Sequence, residues 1–215
     1  MPGGDRRPPI SVAPLREGPL MAGANPEQPT FYYDLASPEA YLAAERSASV
    51  LGTVPEWQPV RLSGLRAGEL GPFRCNAEVD AYREDIERRA VMLGLQPVRW
   101  PQSFPPDAEW AMLVATYAKQ IGRAVAFSLA AFRQAYAAGR DLGDPDTVLL
   151  AAAACEMHPA AIEKGADRDA IRRRLDDATE AAAEAGVLEV PAVRIGDRVF
   201  HGDRELEAAA AVLAA

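Results

Sequence analysis

One stretch constrains this chain more than any other: TFYYDLASPEAYLAAERS, from Thr30 to Ser47. Residues 30–35 are apolar and aromatic, as a central strand requires. Ser37 then stands where a helix is capped, and Pro38 where a first-turn proline is welcome. Tyr41, Leu42, Glu45 and Arg46 carry the helix to about Val50, and Gly52 and Pro55 break it. EWQPVRL, residues 56–62, reads as a second strand, with Pro59 pointing to an edge or a bulge. Strand, helix and strand in so few residues make a βαβ unit, whose crossover should be right-handed.

The remainder must complete that unit. Residues 76–93 form a charged amphipathic helix capped by Asn76, with Val79, Tyr82, Ile86, Ala90 and Leu93 on one face. After a proline-rich connection, helices are predicted over 107–120, 124–138, 145–157 and 167–185, with a short piece after His158 and Gly186 as a C-cap. The period changes again at VPAVRI, residues 190–195. A two-residue turn, GD, and RVFHG return antiparallel. Asp203 is expected to cap a last helix through Leu213. The fold class is thus α/β: βαβ, a long helical insertion, then ββα.

Bulk properties exclude several functions. Charged side chains sum to 23 − 31 = −8, with no basic run, so nucleic acid is a poor partner. Cys75 and Cys155 lie far apart and make neither a disulfide framework nor a redox dithiol. With His158 and His201 as the only histidines, no metal site is expected. No apolar run reaches the ~20 residues of a membrane span, and the expected location is the cytoplasm. Residues 1–28 hold six of the 18 prolines and read as a disordered leader, with Met21 a rival to Met1 as the start.

The order of elements resembles the thioredoxin fold with a helical insertion. More narrowly, it resembles the DsbA-like group that contains 2-hydroxychromene-2-carboxylate isomerase and kappa-class glutathione transferase. FYYDLASPEAYLAAER, W-x-P-V-x-L at residues 57–62, GRDLGDPD at 139–146 and GVLEVPAVRIGDRVFHGDREL at 186–206 carry the likeness. It implies a thioredoxin-like domain from residues 29–63 and 187–215, and a helical domain from 64–186.

The resemblance also implies a site. Where dithiol members of the fold carry Cys-x-x-Cys, this chain has Ser37-Pro38-Glu39-Ala40. Thiol–disulfide exchange through that turn is excluded. The isomerase and the kappa transferases carry serine there, so Ser37 is the expected catalytic residue, donating a hydrogen bond to a borrowed thiolate. Pro191 is the implied cis-proline, and Val190 would meet the thiol cofactor through its backbone. Gly202, Asp203 and Arg204 would receive a γ-glutamyl end. An asparagine is expected after the second strand, and Asn76 is the nearest, with Arg61, Arg66 and Arg74 the basic side chains around it. The cofactor is glutathione or another low-molecular-weight thiol, the substrate a small conjugated electrophile, and the assembly a possible homodimer.

Each residue also has a plainer reading. Ser37 and Asp203 can simply cap helices, and His201 can be an ordinary hydrogen-bonded histidine. Trp100, Phe104 and Trp110 either pack the insertion onto the core or form an aromatic wall for a planar ligand. The chain can equally be a non-catalytic thioredoxin-like binding module. A dithiol oxidoreductase built on Cys75 and Cys155 is the weakest alternative.

Overall fold

The computed structural model describes residues 28–66, 75–166 and 168–214. The expected leader, apart from Gln28, lies outside the described residues, as do Met21 and Arg74. Four strands form one mixed sheet in the order β2-β1-β3-β4. β1 (Thr30–Tyr33) runs parallel to β2 (Glu56–Pro59), joined by α1 (Pro38–Ala44) and α2 (Ser47–Leu51). β3 (Ala192–Ile195) lies antiparallel to β1, and β4 (Arg198–His201) closes the hairpin across Gly196-Asp197. Pro59 sits on the edge strand β2, where its missing N–H costs no ladder bond on the open side.

Among the described residues between β2 and β3 lie the helices α3 (Asn76–Met92), α4 (Glu109–Gln120), α5 (Ala124–Phe132), α6 (Pro145–Ala153), α7 (Pro159–Ala166) and α8 (Asp169–Glu184). A short 3₁₀ turn, Asp203–Glu205, then leads into α9 (Leu206–Leu213). Strand alternation decides how these helices dock. Phe31, Tyr33, Trp57 and Val193 turn one way, into a core shared with Met112 of α4 and Phe132 of α5. Tyr32 and Ala192 turn the other way, against Val60, Ala182 and Val187. Among the described residues, the buried side chains of these helices share the sheet's two clusters. A hydrogen bond of 2.6 Å between the buried hydroxyls of Tyr33 and Ser128 ties β1 to α5.

Local structure departs from the sequence reading at several places, among them the second strand, which ends at Pro59 and gives way to a 3₁₀ turn over Leu62–Gly64. The first helix is two, because the chain breaks at Glu45-Arg46 and restarts at Ser47, whose hydroxyl donates to the Ala44 carbonyl. The end of the 124–138 segment widens into a π-helical turn, Arg133–Ala137. Asn76 is the first residue of α3 rather than its cap; Cys75 precedes it and gives no side-chain capping bond. Asp203 does not cap α9, because its carboxylate is drawn to Arg89 of α3 instead.

Candidate functional site

The β1–α1 turn is held from three sides. The Ser37 N–H donates to the Asp34 carbonyl at 3.0 Å. Asp34, buried, accepts from the backbone N–H groups of Ala36 (2.9 Å) and Leu62 (2.8 Å), which fastens the turn to the segment after β2. Burial pushes the Asp34 carboxyl above the usual range, while these two donors pull it back. From the π turn, the fully buried Tyr136 hydroxyl donates to the Leu35 carbonyl at 3.3 Å. Widened helical turns of this kind recur at functional sites.

Ser37 is buried at the start of α1. Its Oγ accepts the Ala40 N–H at 3.1 Å, so the capping reading holds. Its hydroxyl hydrogen goes to Oε2 of Glu39 at 3.3 Å. The same oxygen takes a hydrogen bond from the Tyr82 hydroxyl of α3. Burial, and then the Glu39 charge, hold Tyr82 far above the ordinary tyrosine range, so it stays protonated. Sequence reasoning placed Tyr82 on the core-facing side of α3 but missed its contact with Glu39, since nothing local reveals a partner 43 positions away.

The Val190–Pro191 peptide bond is cis. Both residues are buried, and the register Tyr32↔Ala192, continued one step, sets Pro191 against Tyr33 at the end of β1 that leads to Ser37. The Gly202 N–H donates to the Pro191 carbonyl at 2.8 Å, with φ of 81° at Gly202, a conformation glycine adopts without penalty. His201 accepts the Leu188 N–H on Nε2 at 3.1 Å, a structural bond that braces this loop.

Asp203 is buried beside α1 and ion-paired to Arg89. Arg89 also bonds Asp85 at 3.1 Å, and Asp85 meets Arg204 at 3.2 Å. The network binds the last turn of the fold to α3. Pro191 thus stands beside the end of β1 that leads to Ser37, Gly202 is bonded to it, and Asp203 follows in the turn packed on α1. Arg204 is exposed at the rim and Asn76 is exposed at the start of α3; neither bonds to that group. Sequence reasoning did not find Arg89, which lies 114 positions from its partner.

An aromatic cluster continues from Tyr82. Phe104 lies 6.0 Å from it, and Trp100 meets Phe104 edge-on at 5.0 Å and Tyr136 at 6.2 Å. The Arg83 guanidinium rests over both Trp100 and Phe104, at 5.3 and 5.0 Å. Trp100 and Trp110 are partly buried against the core. Cys75 is exposed and Cys155 buried, and both are free; burial raises the Cys155 thiol. Among the described residues there is no metal-ligating cluster and no helix long and apolar enough to cross a membrane.

Comparison with known proteins agrees with the fold. The DSBA-like thioredoxin domain matches residues 30–214. A 2-hydroxychromene-2-carboxylate isomerase from Pseudomonas putida is 26% identical over 186 residues, 82% of this chain and 89% of that protein. A solved 2-hydroxychromene-2-carboxylate isomerase superposes with a TM-score of 0.77 at 22% identity, over 86% of this chain and 94% of its own. The cytosolic disulfide reductase DsbM from Pseudomonas aeruginosa, solved with GSH, gives 0.58 at 14% identity, over 87% and 97%.

Proposed function

This chain belongs to the DSBA-like thioredoxin domain family, and from that premise we propose that it is an isomerase- or transferase-type enzyme using a low-molecular-weight thiol of the glutathione kind. The observation that carries the reading is Ser37. By the family resemblance, this buried hydroxyl stands where dithiol members of the fold carry a reactive cysteine, so a sulfur acting here is a ligand's. Likeness to the isomerase over most of both chains supports the same reaction class.

The thiol lies across Ser37, the backbone of Val190-Pro191 and the turn Gly202-Asp203-Arg204, with Asn76 at the outer edge. A ligand amine at Asp203 has to share that carboxylate with Arg89. The sulfur adds to a conjugated electrophile held between the thioredoxin-like part, residues 29–63 and 187–215, and the helices of 64–186. In an isomerase, addition turns a double bond into a rotatable single bond, and elimination restores it in the other geometry. In a transferase, the adduct departs. A cytoplasmic location suits such a thiol pool, and a homodimer is the assembly that light scattering would check.

Calorimetric titration with glutathione tests the reading. Saturable binding weakened about tenfold by Ser37→Ala, together with glutathione-dependent turnover of 2-hydroxychromene-2-carboxylate, is the expected result. No heat and no turnover would sink it. A non-catalytic binding module would then stand, a reading favoured by the Ser37 hydrogen already being given to Glu39.

A further inference from the structure

We propose that Glu39 is the general base of this site, drawing the proton of a bound thiol through the Ser37 hydroxyl as the sulfur adds to the electrophile. The inference rests on the thiol reading above and adds to it the residue that moves the proton.

The hydrogen bonds set the direction. A serine oxygen offers one donor and two acceptor positions. Ser37 spends its donor on Glu39 Oε2 and one acceptor on the Ala40 N–H. The remaining lone pair is the one a thiol S–H would fill. As the C–S bond forms, the S–H bond breaks and its proton passes to Ser37 Oγ, while the Ser37 proton passes to Glu39 Oε2. The sulfur electron pair makes the new bond, and the substrate's displaced π pair settles on its conjugated oxygen. After rotation that pair returns, the C–S bond breaks, and the proton travels back from Glu39 through Ser37 to sulfur. Nothing is consumed.

The other acidic and basic groups around Glu39 are already committed. Asp34, in the preceding loop, spends its oxygens on the Ala36 and Leu62 N–H groups. Asp203, in the turn packed on α1, is paired to Arg89 of α3. Burial above all keeps Tyr82 of α3 and Tyr136 of the π turn protonated, with the Glu39 charge adding to it at Tyr82 and those of Asp34 and then Glu39 at Tyr136. Glu39 receives only hydroxyl donors, and among the described residues no cation bridges it. A carboxylate that meets two hydroxyls and no cation has no ion pair to break.

The test is the pH profile of glutathione-dependent turnover of 2-hydroxychromene-2-carboxylate. A general base lets the neutral thiol react, so the wild-type kcat/KM stays nearly flat between about pH 6 and 8. Glu39→Gln is expected to lose about 100-fold at pH 7. Its rate should then climb about tenfold per pH unit toward the thiol's own pKa, about 8.5, because only preformed thiolate reacts. Glu39→Asp keeps the flat profile at a reduced rate. S-methylglutathione, which has no thiol proton, should bind the wild type and Glu39→Gln alike, separating chemistry from folding. A Glu39→Gln profile parallel to the wild type, or a rate at pH 7 within about threefold of it, overturns the proposal. If the wild type turns over no faster with glutathione than without it, the thiol reading itself falls and this proposal with it.

Discussion

Two carboxylates adjoin α1, Glu39 in its first turn and Asp203 in the turn packed on it, and they are treated in opposite ways. Asp203 is almost wholly enclosed and neutralised by Arg89, which is itself tied to Asp85. Glu39 is half-buried and meets the hydroxyls of Ser37 and Tyr82. A buried ion pair fixes geometry, since removing one partner strands the other charge in a poor dielectric. A carboxylate held by neutral donors keeps the option of accepting a proton. The first end is built to hold α3 in place, the second to react, and α3 serves both through Arg89 and Tyr82, two turns apart on one face.

Stability and activity should therefore separate along this line. The largest effect on stability is expected from Asp203→Ala, which leaves Arg89 without its buried partner and costs about 3 kcal/mol in urea unfolding. Arg89→Leu in that background should recover part of the loss. Full additivity of the two substitutions would break the comparison, because it would mean that the pair is not coupled. Ser37→Ala should behave in the opposite sense. It removes one cap, about 1 kcal/mol, yet lowers glutathione-dependent kcat/KM by about 100-fold. A stability loss as large as that of Asp203→Ala would show the two ends to be alike.

The pH dependence sharpens the contrast at the ionic end. Partial desolvation raises the Asp85 carboxyl, but its bonds to Arg89 and Arg88 and the nearby Arg204 charge outweigh this and hold it below the usual range. A depressed folded-state value means stability that is present above the unfolded value, about 3.9, and lost as pH falls through the folded one. Below about pH 4 the wild type should lose stability more steeply than Asp85→Asn in parallel acid titrations followed by circular dichroism. Equal slopes would remove Asp85 from the network. The smallest effect belongs to Arg204→Ala. This exposed partner of Asp85 should change stability by less than about 0.5 kcal/mol, as surface pairs generally do.

Much of this was legible in the chain, and the exceptions have a common cause. The Ser37 cap, Pro38 at the first helical position and the hairpin turn at Gly196-Asp197 follow from bonds closed within a few residues, and the edge placement of Pro59 from its missing N–H. Asp203 and Asn76 have the composition of caps and do not act as caps. For Asp203 the reason is visible: a guanidinium from a distant helix outcompetes the local N–H groups, and a charged partner in a closed site binds more strongly than a neutral donor. For Asn76 the structure shows the helix starting one residue earlier than a cap would allow.

The sequence by itself determined the order and type of the elements and the absence of a dithiol in the first turn. It also determined that Ser37 would stand at the head of α1. These depend on periodicity, on proline and glycine, and on which atoms a side chain possesses. Only the tertiary structure decided what Ser37 faces. Glu39, two residues on, becomes its acceptor because Tyr82 of α3 fixes the same oxygen from across the gap. That choice belongs to packing: α3 docks where Ile86 and Ala90 can be buried, and the polar side chains on the same face arrive with them.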